Sequence, residues 1–316
     1  MICRTDLKFD ALDLGAHLEA SVGALPLGSS ERARHTNRVD EARRLLDISN
    51  HFRDNGWPVK AKRFAARALA IIERESLANG RDVVRVLLCL AGARADLADF
   101  TRAEADYCRA NHLLDLMDNP CSREVQRLRI QTFRGLARVM RAQGRDRQAE
   151  ALLKEALANA ERTFGRKDVD VASTLNDLGT YNGVAGAYEE ASRLHHQALA
   201  IAVKAVGPNH AQTAAVLHQL GVLECARGRF AVGEGFARRS ADILLKTCGP
   251  DHPQLAAALE TIAALLEGQG RHQEADSLRR QALVMVERWF GADDREVKES
   301  ASQLAGIVNH AGAVMA

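Results

Sequence analysis

At 316 residues the chain is long enough for two ordinary domains or one long repeat array. Hydrophobic residues make up 47% but aromatics only 4%, so a core has to be built from Ala, Leu, Val and Ile. A net charge of +2 with so few aromatics speaks against nucleic acid as a partner, and no stretch approaches the ~20 apolar residues of a membrane span. The six cysteines (Cys3, Cys89, Cys108, Cys121, Cys225, Cys248) form no Cys-x-x-Cys pair and no zinc-type spacing with histidine. A reduced, cytoplasmic protein without metal or cofactor is predicted.

Residues 1–30 read as an N-terminal helix and linker. Leu7, Ala11, Leu14 and Leu18 share one face of an amphipathic helix that could cap the open end of the first helix pair. The same stretch, TDLKFDALDL at residues 5–14, alternates acidic and apolar residues, and a built-in ligand is the competing reading. From residue 31 the spacing predicts a helical solenoid, with helix pairs near 40–82, 83–123, 124–165, 166–207, 208–249 and 250–291 and a capping helix over 292–312. Gly165, Gly207, Gly249 and Gly291 stand 42 residues apart, as do Gly144, Gly186, Gly228 and Gly270. Apolar columns keep the register: Ala172/Ala214/Ala256, Leu175/Leu217/Leu259 and Leu178/Leu220/Ile262. Upstream, Ala137, Gly144 and Ala149 continue it, then Ala91, Ala98, Phe100 and Ala103 after a four-residue insertion near Asp118–Cys121. Each unit is predicted as helix A, a glycine turn, helix B and a second glycine turn. The apolar tail residues Ile307, Val308, Val314 and Met315 raise the expectation of a homodimer.

These units resemble tetratricopeptide repeats, and their 42-residue form is similar to that of kinesin light chains and their bacterial relatives. Leu178-Gly179, Gly186-Ala187-Tyr188-Glu189-Glu190-Ala191 and Gly249-Pro250-Asp251-His252-Pro253 carry the likeness. It implies an all-α, right-handed superhelix of about six helix pairs, with the A helices lining a concave groove. It also places Arg43, Asn50, Arg53, Arg85, Gln131, Arg134, Arg138, Arg141, Asn176, Thr180 and His218 on that groove, with Asn176 matching an asparagine that bonds a bound peptide backbone in many relatives. Leu46, Leu88 and Gly92 map to the same face. Arg134, Arg138 and Arg141 recur at i, i+4 and i+7, one stripe of guanidiniums suited to planar anions. His210 and His252 are expected to cap or pack in the inter-repeat loops.

No phosphate-cradling loop, metalloprotease motif or nucleophile elbow is present. His195 and His196 are adjacent on one helix and point to different faces, a poor chelate. Residues 1–158 carry 27 basic and 22 acidic side chains and residues 159–316 carry 16 and 19, so an anionic partner is steered to the first half. The reading is a non-enzymatic scaffold or adaptor holding an acidic–hydrophobic peptide or protein. The alternatives are a regulatory sensor of a small peptide or anionic metabolite and, further off, an enzyme or accessory protein of a biosynthetic pathway.

Overall fold

The computed structural model describes residues 29–54, 57–74, 80–250 and 252–290. Of the expected N-terminal segment 1–30, residues 1–28 lie outside them, as does the capping helix expected over 292–312, while Ser29 and Ser30 already belong to the first helix. Among the described residues there are twelve α-helices and no strand: α1 (Ser29–Asp54), α2 (Pro58–Arg74), α3 (Gly80–Asp96), α4 (Phe100–Asp115), α5 (Arg123–Ala142), α6 (Asp146–Phe164), α7 (Val169–Val184), α8 (Tyr188–Ala205), α9 (Ala211–Ala226), α10 (Phe230–Cys248), α11 (Pro253–Gly268) and α12 (His272–Phe290). Odd-numbered helices are the A helices of the repeats and even-numbered ones the B helices. α1 starts at Ser29, a further three turns before the first expected repeat.

The helix boundaries come from local chemistry. Gly144, Gly186, Gly228 and Gly270, between A and B, all have φ between +70° and +78°. At each, two backbone bonds close the A helix, for example Ala187 N–H to the Asn182 carbonyl and Gly186 N–H to the Gly183 carbonyl. Starts are capped by side chains. Ser122 accepts from Val125 N, and Asp168 from Asp170 N at 2.9 Å. His210 and His252 do the same through Nδ1, to Gln212 N and Gln254 N at 3.2 and 3.3 Å, so both histidines are caps. Ala98 occupies the turn position that glycine holds elsewhere and takes φ +59°.

The chain forms two compact units. The first contains α1 to α5; α6 starts in it, and from Ala149 onward the chain belongs to the second. In the first, α1 pairs with α2 and α3 with α4, each B helix packs on the next A helix, and α1, α3 and α5 lie side by side. In the second, α7–α8, α9–α10 and α11–α12 repeat the arrangement, with α7, α9 and α11 adjacent. The A helices touch one another as well as their B partners, so they form the more crowded layer of each unit.

The cores are built as the composition demands. The column Leu90, Leu136, Leu178, Leu220, Ile262 is buried throughout, as are Ala103, Ala149, Ala191 and Ala275 in the first turn of the B helices. Small residues let A and B backbones approach. A Cβ on Gly233 would lie 2.6 Å from Leu265 Cδ2 and 3.1 Å from the Gly221 carbonyl oxygen. Gly233 therefore marks a close crossing of α10 with α9 and α11 rather than a loose turn of helix.

Candidate functional site

In the first unit the expected groove residues project from three adjacent A helices, and several are committed to holding those helices together. Arg43 on α1 reaches Asp82 on α3 with Nε at 3.3 Å and Nη2 at 2.9 Å, and Asp82 is buried. Arg85 on α3 pairs with Glu124 on α5, which Arg81 also grips at 2.9 Å. Arg138 on α5 donates from Nη1 to Asp96 on α3 at 2.9 Å. These opposite charges stand one repeat apart in sequence, so the arginines act first as rungs between successive repeats. Gln131 and Arg138 remain exposed on α5, while Arg134 and Arg141 are half-buried. Asn50 on α1 is half-buried as well. Leu46 and Leu88, which share the same face in register, are buried in the core instead.

Arg53, at the C-terminal end of α1, lies against α3. A Cβ on Gly92 would fall 2.8 Å from Arg53 Nη1, so the guanidinium occupies the space that this glycine leaves open. Nearby, the Tyr107 side chain on α4 is buried and its ring covers Gly135 on α5, where a Cβ would come within 2.3 Å of the ring. Burial pushes the Tyr107 phenol above its ordinary value; Arg138, which donates a hydrogen bond to it, and the nearby Arg53 hold it back.

In the second unit Asn176 on α7 is already engaged. Its Oδ1 lies 2.9 Å from Nδ1 of His195 on α8. An amide oxygen can only accept, so Nδ1 carries the imidazole proton. His195 is 1% exposed and its ring rests on Gly179, where a Cβ would meet Cε1 at 2.8 Å. Burial depresses its pKa from 6.5 to about 4, so the ring is neutral. His196, its sequence neighbour, is exposed and bonds the Ser192 carbonyl. Thr180 donates to the Asn176 carbonyl on its own helix at 3.0 Å. His218 on α9 reaches Thr261 on α11 at 2.9 Å, and Thr261 donates its hydroxyl proton to the Ala257 carbonyl. The His218 Nε2 is thus the donor of that rung, and burial holds the ring's pKa below its ordinary value. Glu260, one residue before Thr261, has its carboxyl pushed upward by burial, with Arg279 opposing.

Among the described residues no group of three or more His, Cys, Asp or Glu side chains could hold a metal ion. No helix among them is long and apolar enough to cross a membrane. The sequence pointed to the A-helix faces but not to Asp96, Tyr107 or His195 as their partners. Asp96 precedes Arg138 by 42 residues, but the four-residue insertion near Asp118–Cys121 shifts the register there to 46, so the repeat spacing carried no signal for this pair.

The tetratricopeptide repeat family model matches residues 128–202, 184–232 and 212–288. No curated protein matches the sequence. Among solved structures, BtubC (BKLC) from P. vanneervenii is 19% identical, with 85% of this chain and 95% of that chain covered and a TM-score of 0.51. A Podosopora anserina putative kinesin light chain with nearly identical repeats is 21% identical over 63% of this chain and 96% of that one, with a TM-score of 0.42. The Rap protein complexed with Competence and Sporulation Factor is 15% identical, over 79% of this chain and 65% of that one, with a TM-score of 0.59.

Proposed function

The chain belongs to the tetratricopeptide repeat family, and on that premise we propose that it is a non-enzymatic scaffold or adaptor whose A-helix faces form a groove for an acidic–hydrophobic peptide or protein. The observation that carries the reading is the face of α5. Gln131, Arg134, Arg138 and Arg141 recur along it at helical spacing, with Gln131 and Arg138 open to solvent. Guanidinium groups in such a row favour carboxylates through paired, charge-assisted hydrogen bonds. On the second unit, taken by itself, Asn176, Thr180 and His218 are the proposed binding residues, and their hydrogen bonds to His195, to the α7 backbone and to Thr261 fix their rotamers before a partner arrives. The Rap neighbour is complexed with a factor; use of the same architecture for partner capture is the proposal for this chain.

The test uses the full chain and a fluorescein-labelled peptide with the sequence of residues 5–14, TDLKFDALDL. Anisotropy should report saturable binding that weakens with added salt. Replacing Arg134, Arg138 and Arg141 together by Ala should remove it, at about 1.5–3 kcal/mol per charged hydrogen bond lost. Salt-independent binding, or unchanged affinity in the triple variant, would count against the adaptor reading.

A further inference from the structure

The first A helix, α1, departs from the later ones along one stripe. Arg44, Ile48 and His51 recur on it at i, i+4 and i+7. In register, the Arg44 position is Val86, Thr132, Thr174, Val216 and Ala258 in the later A helices. The Ile48 position is Leu90, Leu136, Leu178, Leu220 and Ile262, and all ten residues are at most 7% exposed. The His51 position includes Leu265, which rests against Gly233 of the B helix before it. The stripe is therefore the one on which a preceding B helix packs. On α1, Arg44 and His51 are exposed and Ile48 is 40% exposed. At 3.6 residues per turn it lies roughly opposite the groove positions Arg43, Asn50 and Arg53. Beside it, Arg38 and Glu41 of α1 and Arg67, Ala70, Ile71 and Arg74 of α2 line a cleft of about 390 Å³. Among these lining residues three arginines face one carboxylate, Glu41, which Arg67 already holds at 3.1 Å.

We infer that this outer stripe of α1, with the basic cleft beside it, is the docking surface for the chain's own residues 5–18, which take the place of a preceding B helix. Leu7, Ala11, Leu14 and Leu18 share one helical face and supply the apolar partner that Ile48 and Ile71 lack. Asp6, Asp10 and Asp13 recur along the flank of that face, where they meet the arginines of the cleft. The tether reaches. From Ser29 to Glu41 along α1 is about 18 Å at 1.5 Å per residue, and the ten residues 19–28 span up to about 33 Å. A segment joined to α1 in this way is present at an effective concentration on the order of millimolar, which favours it over a second copy of the chain. The docking leaves the groove open, so residues 5–18 act as a cap and not as a built-in groove ligand. The inference goes beyond the adaptor reading and does not depend on it.

Hydrogen exchange across residues 38–54, measured by mass spectrometry on the full chain, tests the docking. Leu14→Ser should speed that exchange about tenfold, the effect of uncovering one leucine-sized contact. Ile48→Ser should do the same, because it removes the other side of that contact. The double variant should exchange no faster than either single variant. Added salt should speed exchange in the wild type more than in the double variant. Unchanged exchange in Leu14→Ser, or effects of the two substitutions that simply add, would overturn the docking. A Leu14→Ser effect that fades on dilution would assign the surface to a second copy and overturn it as well. The labelled 5–14 peptide separates cap from groove ligand. Its affinity for the double variant should stay within about twofold of that for the wild type, whereas a gain of about tenfold with α1 exchange unchanged would put the segment in the groove. A peptide that binds neither protein refutes the adaptor reading, and the exchange of α1 still decides the docking.

Discussion

His195 should make the stability of the second unit depend on pH in a window that no surface histidine would produce. Its ring is 1% exposed, rests on Gly179 and hydrogen-bonds Asn176. Its pKa falls from 6.5 to about 4 because burial penalises the imidazolium. The folded state therefore binds this proton less tightly than the unfolded state. Stability is full above the unfolded pKa of 6.5, falls as the pH drops through the interval, and has lost the whole contribution below about 4. The depression corresponds to about 3 kcal/mol in total, of which about 2.5 kcal/mol is lost by pH 4.5. His195→Gln keeps a donor for the Asn176 oxygen and cannot take up a proton. Urea unfolding followed by helix circular dichroism, from pH 7.5 down to 4.5, should show the gap between the wild type and the variant shrinking and then reversing sign or closing. Carboxylates and His218 titrate in both proteins and drop out of the difference. A gap that stays constant within about 0.5 kcal/mol across the range would refute the buried neutral ring. The slope of stability against urea has to match between the two proteins, since a repeat array can lose its all-or-none behaviour.

Two glycines two residues apart should respond in opposite directions. Gly233→Ala drives a Cβ against Leu265 and the Gly221 carbonyl and should destabilise by about 1–3 kcal/mol, whereas Gly235, which has nothing within 4 Å, should gain about 0.5–1 kcal/mol as alanine. Thermal melts of the pair decide it, and equal effects would show that α10 is not tightly crossed. Ala98→Gly should raise stability by about 0.5–1 kcal/mol, because a left-handed φ of +59° strains a side chain with a Cβ; a lower melting temperature would contradict that strain. Arg43→Ala leaves the buried Asp82 carboxylate to the longer 3.8 Å contact with Arg85 and should cost about 1–2 kcal/mol, reduced from a fully buried pair because Arg43 is half-exposed. Denaturant titration at pH 7 checks it, and a loss below about 0.3 kcal/mol would mean that Asp82 is solvated after all.

What the sequence determined by itself is the repeat. A fixed 42-residue period places glycines where the backbone must turn with positive φ and small residues where helices must approach, and both requirements are local enough to be written in spacing. Leu178, Leu220 and Ile262 are buried because a column repeated at that period has no other face to point to. The family was legible in the same spacing. The hydrogen-bonded state of the groove residues was not. Arg138 could be read as a groove cation from its position on α5, but its pairing with Asp96 depends on how closely α3 and α5 pack, and that distance is set by the side chains between them. Asn176 matched a peptide-binding position, yet its oxygen is taken by His195, a residue that is leucine, alanine or arginine in the neighbouring repeats and so lies outside any repeated pattern. Gly92 illustrates the same division. The sequence shows a missing side chain, and only the tertiary structure shows that Arg53 from another repeat fills the space. Periodic features come from contacts that every repeat makes in the same way. The candidate site comes from the places where one repeat differs, and the meaning of a difference depends on what the neighbouring helix brings to it.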